Sequence, residues 1–202
     1  MDAVAIGTLL LAAATFFLAL QNTIYRRRDL LNSKIDEVKR AECSSDAWTS
    51  EAIELAEQSK TLLSRLVEIK GKNQILSTAT PQEKLEASAR EDKAAKEYNA
   101  SVDSCTKHDD KLFEVLTQLS GTDPLIDSIG DHELIELNTE FNRLYEVTSA
   151  KTKTSDAIDL TSMPELERLK VYLQGVDMRI DYYKERKKLS VKMVSRLVLL
   201  KR

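Results

Sequence analysis

The residues best able to do chemistry lie together in "CTKHDD". Cys105, His108 and Asp109 fall three and four positions apart. That spacing stacks side chains on one face of a helix. Thiolate, imidazole and carboxylate are all zinc ligands, and a protein site uses three or four of them. The next candidates along the chain, His132 and Glu133, begin a later helix. His108 stands about 11 residues before the end of its own helix, or ~16 Å along the axis at 1.5 Å per residue. The two groups are therefore at different heights. The expected roles are a surface histidine and a packed thiol.

Other chemistries leave no trace. There is no Glu-x-x-His pair of the kind that builds a metal site in a helix bundle. The five glycines are scattered, so no loop can cradle a phosphate. No serine stands in a G-x-S-x-G setting. Trp48 falls on an apolar seam and is expected in the core. Cys43 and Cys105 have no spacing that demands pairing, and small free cysteines pack well, so both are expected reduced. The expectation is a protein that is not an enzyme, with no cofactor and no metal.

The elements that position these residues follow from composition. The chain has 202 residues, 42% hydrophobic and 31% charged, with five Gly, three Pro and 5% aromatics. Turns and sheets draw on Gly, Pro and aromatic residues, so this balance predicts long helices. The net charge of −3 conceals basic ends and an acidic to mixed middle. A nucleic-acid binder carries a basic face across its domain, which excludes that class here.

Residues 3–20 carry no charge, and the uncharged run extends to Tyr25. A bilayer span takes about 20 apolar residues. A secretory signal has a positive charge before its apolar run and a small-residue cleavage site after it. Here only Asp2 precedes, and "QNTIY" follows. The expectation is an uncleaved single-pass transmembrane anchor over residues 1–25 and a helical body over 26–202. Arg26, Arg27 and Arg28 follow the run directly. The positive-inside rule then puts the N-terminus outside and the body in the cytoplasm.

The body shows four helical stretches. Leu31, Ile35, Val38, Ala41, Ser45, Trp48, Ala52, Leu55, Ser59, Leu62, Leu66 and Ile69 alternate by threes and fours, a heptad seam with a weak middle. "CSSD" at 43–46 predicts a local loosening, and Gly71 a helix end. Thr80, Pro81 and Glu83 predict a capped start, followed by a seam of Ala95, Tyr98, Val102, Cys105, Asp109, Leu112, Leu116 and Leu119. Residues 120–131 form a connection holding one short turn of helix. Asp131 caps a third helix carrying Leu134, Leu137, Phe141 and Leu144. Ser162 and Glu165 predict a capping box for the last helix, with Leu166, Leu169, Leu173, Val176, Ile180 and Tyr183 inside. The fold class is all-α: an N-terminal transmembrane helix continuing into an elongated antiparallel bundle of about four long helices.

An up-and-down order returns the C-terminus toward the lipid. There Lys187, Lys188, Lys192, Arg196, Lys201 and Arg202 alternate with Leu, Val and Met, as in segments that lie on anionic headgroups. With Arg26, Arg27 and Arg28 they form the expected membrane-surface set. The same order puts 71–80 and 158–163 at the far tip, where a partner protein would meet the molecule.

The chain resembles the LemA family in several stretches. These are Tyr25 after the span, "LLSRLVEIKG" at 62–71, "ATPQEKLEA" at 79–87, and the closing helix at 166–194 with its Arg179–Ile180 and Tyr182–Tyr183 pairs. The resemblance implies a membrane-tethered helical module without an agreed enzymatic activity, with a magnetosome-associated branch as one form of it. The functional expectation is a membrane-anchored scaffold or interaction module that organises partner proteins at the cytoplasmic face. The alternative is a structural coiled-coil subunit of a larger membrane complex. Membrane lipid and an unidentified protein are the implied partners, nucleic acid is not, and homo- or hetero-oligomers fit both readings.

Overall fold

A 72-residue stretch without proline forms one unbroken helix, α1 (Ala3–Gln74). At 1.5 Å per residue it is ~108 Å long. The computed structural model describes the backbone of residues 3–74, 79–156 and 160–201, and the side chains of 13–74, 79–148 and 160–201. All regular structure among the described residues is helical. The expected loosening at 43–46 does not occur. Thr49 and Ser50 donate their hydroxyls to the carbonyls of Ser45 and Asp46, four residues back, so the hydroxyls bond along the helix without opening it. Gly71 lies inside α1 and does not end it.

The buried side of α1 is a strict heptad stripe: Ile35, Val38, Glu42, Ser45, Thr49, Ala52, Ala56, Ser59, Leu63 and Leu66. The steps alternate three and four without a break, as a supercoiled seam requires. The sequence pattern had the right phase but preferred Ala41, Trp48, Leu55 and Leu62 to their buried neighbours Glu42, Thr49, Ala56 and Leu63. Those four residues flank the stripe, half-buried.

Helix α2 (Pro81–Ser120) starts as expected. The Thr80 hydroxyl accepts from the Glu83 amide at 3.3 Å, and the Glu83 carboxylate accepts from the Thr80 amide at 2.7 Å. It runs back antiparallel along α1, from a Lys70–Glu91 ion pair at the far end to a Cys105 contact with the Leu55 carbonyl. A short helix, α3 (Asp123–Ile129), follows and ends on Gly130 in the left-handed region (φ 72°). Asp131 then caps α4 (His132–Asp156), its carboxylate accepting from the Leu134 amide at 3.1 Å. One turn of 3₁₀ helix (Leu160–Ser162) leads to α5 (Glu165–Leu200). The N-cap of α5 is Pro164 in extended conformation, so the expected Ser162 capping box is replaced by a proline entry.

Helix α5 is also antiparallel to α1 over its whole length. Ion pairs run in order from Lys70–Glu165 through Lys60–Asp177 and Lys184–Glu57 to Lys201–Asp36. The core has three layers. Far from the N-terminus, Leu63, Leu66, Ala94 and Leu169 join α1, α2 and α5. In the middle, Ala52, Leu112 and Tyr183 do so. Nearest the N-terminal segment α2 has ended, and α3 and α4 take its place, with Ile35, Val38, Ile126, Leu134, Leu137, Phe141, Met193 and Leu197 packed together. The up-and-down order holds, and α5 ends beside Asp36.

Residues 13–34 of α1 extend beyond the bundle. Phe16, Phe17, Leu18, Ile24, Tyr25 and Leu30 are exposed there. Among the described residues no helix is long and apolar enough to cross a membrane. The expected span over residues 1–25 lies partly outside them, since the side chains of 1–12 are not described.

The end of α5 divides sharply between core and surface. Leu197 is fully buried, whereas Leu199 is 68% exposed. Leu197→Ala should cost ~2–5 kcal/mol in denaturant unfolding, and Leu199→Ala less than ~0.5 kcal/mol. Equal effects would contradict the packing of this end.

Candidate functional site

The Cys105, His108 and Asp109 trio does not converge. Cys105 packs against α1, its thiol pushed up by burial. His108 is buried, 6% exposed, rather than on the surface. Its Nε2 donates to the Trp48 carbonyl at 2.8 Å and its ring lies 5.1 Å from the indole. Asp109 turns toward α5, accepting from Tyr183 Oη and Arg179 Nη1, both at 2.8 Å. Burial, with Asp109 alongside, pushes the Tyr183 hydroxyl well above the usual tyrosine range. The three residues thus tie α2 to α1 and α5. No group of His, Cys, Asp and Glu among the described residues is arranged to hold a metal. Cys43 is exposed, not packed, because it points away from the heptad stripe.

Four of the six C-terminal basic residues are engaged within the chain. Arg196 Nη2 and Nε bind the two carboxylate oxygens of Asp131 at 2.6 and 3.0 Å, and Nη1 reaches Glu133 at 2.9 Å. Lys201 pairs with Asp36 at 2.7 Å, Lys188 with Glu185 at 2.6 Å, and Lys187 donates to Ser50 at 2.8 Å. Lys192 is exposed on α5. Arg26, Arg27 and Arg28 are exposed on the projecting part of α1, eight residues or more before Asp36, which is ~12 Å along the axis. Arg202 lies outside the described residues. The C-terminal end therefore stands near the arginines, with Val198 and Leu199 exposed beside its charges. At the opposite end Lys70 bridges Glu91 and Glu165, and Asn73 donates to Glu91 at 2.8 Å, which gathers α1, α2 and α5. Of the tip segments 71–80 and 158–163, positions 75–78 and 158–159 lie outside the described residues.

The least expected feature is a buried polar layer between α1 and α5. Glu42 is 1% exposed and Arg186 6%. They do not pair with each other. Ser190 donates its hydroxyl to Glu42 Oε2 at 2.8 Å. Arg186 Nη2 donates to Ser45 Oγ at 2.7 Å, and its guanidinium carbon sits 4.9 Å over the Phe141 ring. Arg186 Nε is buried without a partner. Burial pushes the Glu42 carboxyl above the ordinary glutamate value, against the opposing pull of Ser190 and Arg186. The sequence held one signal for this layer. Glu42 keeps the three-four step between Val38 and Ser45, and Arg186, Ser190, Met193 and Leu197 do the same after Tyr183.

Comparison with family models, curated proteins and solved structures finds nothing that matches this chain.

Two pH effects follow, with opposite signs. A raised Glu42 means the folded state holds a proton that the unfolded chain releases, so Glu42 lowers stability as pH rises above 4.5, its ordinary value. Glu42→Gln should be at least as stable as wild type at neutral pH, with any gain fading toward pH 4.5. For Asp131 the Arg196 hydrogen bonds hold the carboxyl below its ordinary 3.8, so its contribution is present above that value and lost as pH falls below it. Asp131→Asn should lose on the order of 1–2 kcal/mol at neutral pH, from the cap and the ion pair together. Its loss should shrink in acid, as read by chemical denaturation across pH.

Proposed function

We propose that the chain is a membrane-anchored helical scaffold, LemA-like in kind, whose body organises partner proteins at the cytoplasmic face. One observation carries this reading. Helix α1 passes without interruption from an apolar segment, through three arginines, into the heptad stripe of the bundle, and among the described residues Phe16, Phe17, Leu18, Ile24 and Tyr25 are exposed ahead of it. An exposed helix that is apolar on all sides needs a nonaqueous environment. A bilayer supplies it for the uncharged residues 3–25, and the arginines hold the body on the inner side. The continuous helix transmits that anchor to the bundle, which stands away from the headgroups with its Lys70 end outermost. The family resemblance supports the same reading.

A structural subunit of a larger complex is the second reading. In that reading the weak Ser and Ala positions of the α1 seam pair with other chains. Ser45, Ala52, Ala56 and Ser59 are buried within this chain, and that favours a self-contained module.

Single cysteines at Asp2 and Gln58, with Cys43 and Cys105 replaced, test the topology in intact cells. The reading expects the protein to resist alkaline carbonate extraction. It also expects labelling of Asp2→Cys by an impermeant maleimide and of Gln58→Cys only by a permeant one. Release by carbonate, or the inverse labelling pattern, would refute it.

A further inference from the structure

Helices α2 and α4 both flank the α1–α5 pair near its middle but do not close against each other. Between them lies a cleft of about 350 Å³. Its walls carry Phe113 and Leu116 from α2, and Asn138, Phe141 and Tyr145 from α4. Its floor is Tyr182 and the Glu42–Arg186 layer. Phe113 and Tyr145 are well exposed at its mouth. The volume is at the small end of the range for ligand pockets, roughly 300–1,000 Å³. The cleft's lining is mixed, since Thr117, Ser120, Asp123, Asn138 and Asn142 join the aromatic and aliphatic groups, and such a combination of apolar surface with convergent polar groups is the usual form of a ligand site.

The base holds an unresolved charge. A buried guanidinium normally has a carboxylate partner, because an unpaired buried charge is strongly destabilising. Arg186 touches the Ser45 and Tyr182 hydroxyls and the Phe141 face, none of them a carboxylate, and its Nε has no partner. None of the ion pairs among the described residues includes Arg186. Glu42 in the same layer, which the Arg186 charge reaches, bonds Ser190 instead, and burial pushes its carboxyl above the ordinary glutamate value. Asp123, also on the cleft wall, accepts from Asn138 at 3.2 Å.

We propose that this cleft binds a small amphipathic carboxylate, with its charged end on Arg186 and its apolar body among Phe113, Leu116, Phe141 and Tyr145. The carboxylate supplies the partner that the guanidinium lacks, through charge-assisted hydrogen bonds. The apolar body covers aromatic surface that otherwise faces water at the cleft mouth. This goes beyond the membrane reading and does not depend on it.

Octanoate is the probe, titrated into the full chain in non-ionic detergent, with octanamide as its neutral counterpart. Binding is followed by the carboxyl carbon-13 signal of labelled octanoate and by calorimetry. Octanoate should bind at least tenfold more tightly than octanamide. Arg186→Met should abolish that difference while keeping helicity and melting temperature, since an apolar residue replaces an unpaired buried charge. Asn142→Trp, on the exposed wall and outside the core, should weaken both ligands by blocking the cleft. Three results would each overturn the proposal: no octanoate binding to wild type in the millimolar range, equal binding of octanamide, or octanoate binding unchanged in a folded Arg186→Met or in Asn142→Trp. Binding to the apolar segment of α1 would show as the last of these. If Arg186→Met does not fold, Asn142→Trp and the octanamide comparison decide the matter.

Discussion

The structure depends on one constraint: a single stripe of side chains on α1, stepping by three and four from Ile35 to Leu66, must be shielded from water along about 45 Å of helix. One partner helix covers such a stripe incompletely. Two partners, α2 and α5, lie on either side and run the opposite way, and α5 accompanies α1 from Lys70 to Asp36. Everything else fills what this arrangement leaves open. Helix α2 ends at Ser120, so the lower third of the stripe is completed by the short α3 and by α4. The Gly130 turn is what lets α3 stop and α4 reverse within two residues, because its left-handed backbone is costly for any side chain with a Cβ.

The stripe is not uniformly apolar, and that shapes the molecule as much as its length does. Its two ends are Ile, Val and Leu, and its middle is Glu42, Ser45 and Thr49. Helix α5 answers with Arg186 and Ser190 at the same height. A polar layer of this kind penalises sliding: a shift of α5 by one heptad would leave Glu42 and Arg186 facing aliphatic side chains. The ordered ladder of pairs on the rim, Lys60–Asp177, Lys184–Glu57 and Lys201–Asp36, points to the same register but adds little energy in solvent. Register is thus set from inside, and the rim agrees with it.

Much of this was legible in the chain. The capping box at Thr80, the Asp131 cap and the seams of α4 and α5 up to Tyr183 followed from spacing alone, because local hydrogen bonds and heptad periodicity are written in consecutive residues. The up-and-down order followed from short connections. What escaped was decided by tertiary contact. Hydrophobicity favours Trp48 over Thr49 and Ala41 over Glu42, yet the buried Glu42 and Ser45 find polar partners on α5 and Thr49 bonds back along α1. The basic C-terminal stretch looked like a surface because its lysines and arginines are conspicuous. Its buried face, from Arg186 to Leu197, is the continuation of the α5 seam. His108 looked like a solvated residue until α2 placed it against the Trp48 carbonyl.

The central claim is that α1 is one stiff rod that runs from its apolar start through the arginines into the bundle without a hinge. It is tested most directly by spin labels at Tyr25→Cys and Gln58→Cys, in a Cys43→Ser and Cys105→Ala background, with the full chain in lipid nanodiscs. Thirty-three residues of helix separate the two positions, and pulsed dipolar spectroscopy should give one narrow distance distribution near ~50 Å. A broad distribution centred well below that value would show a hinge near the arginines and contradict the account.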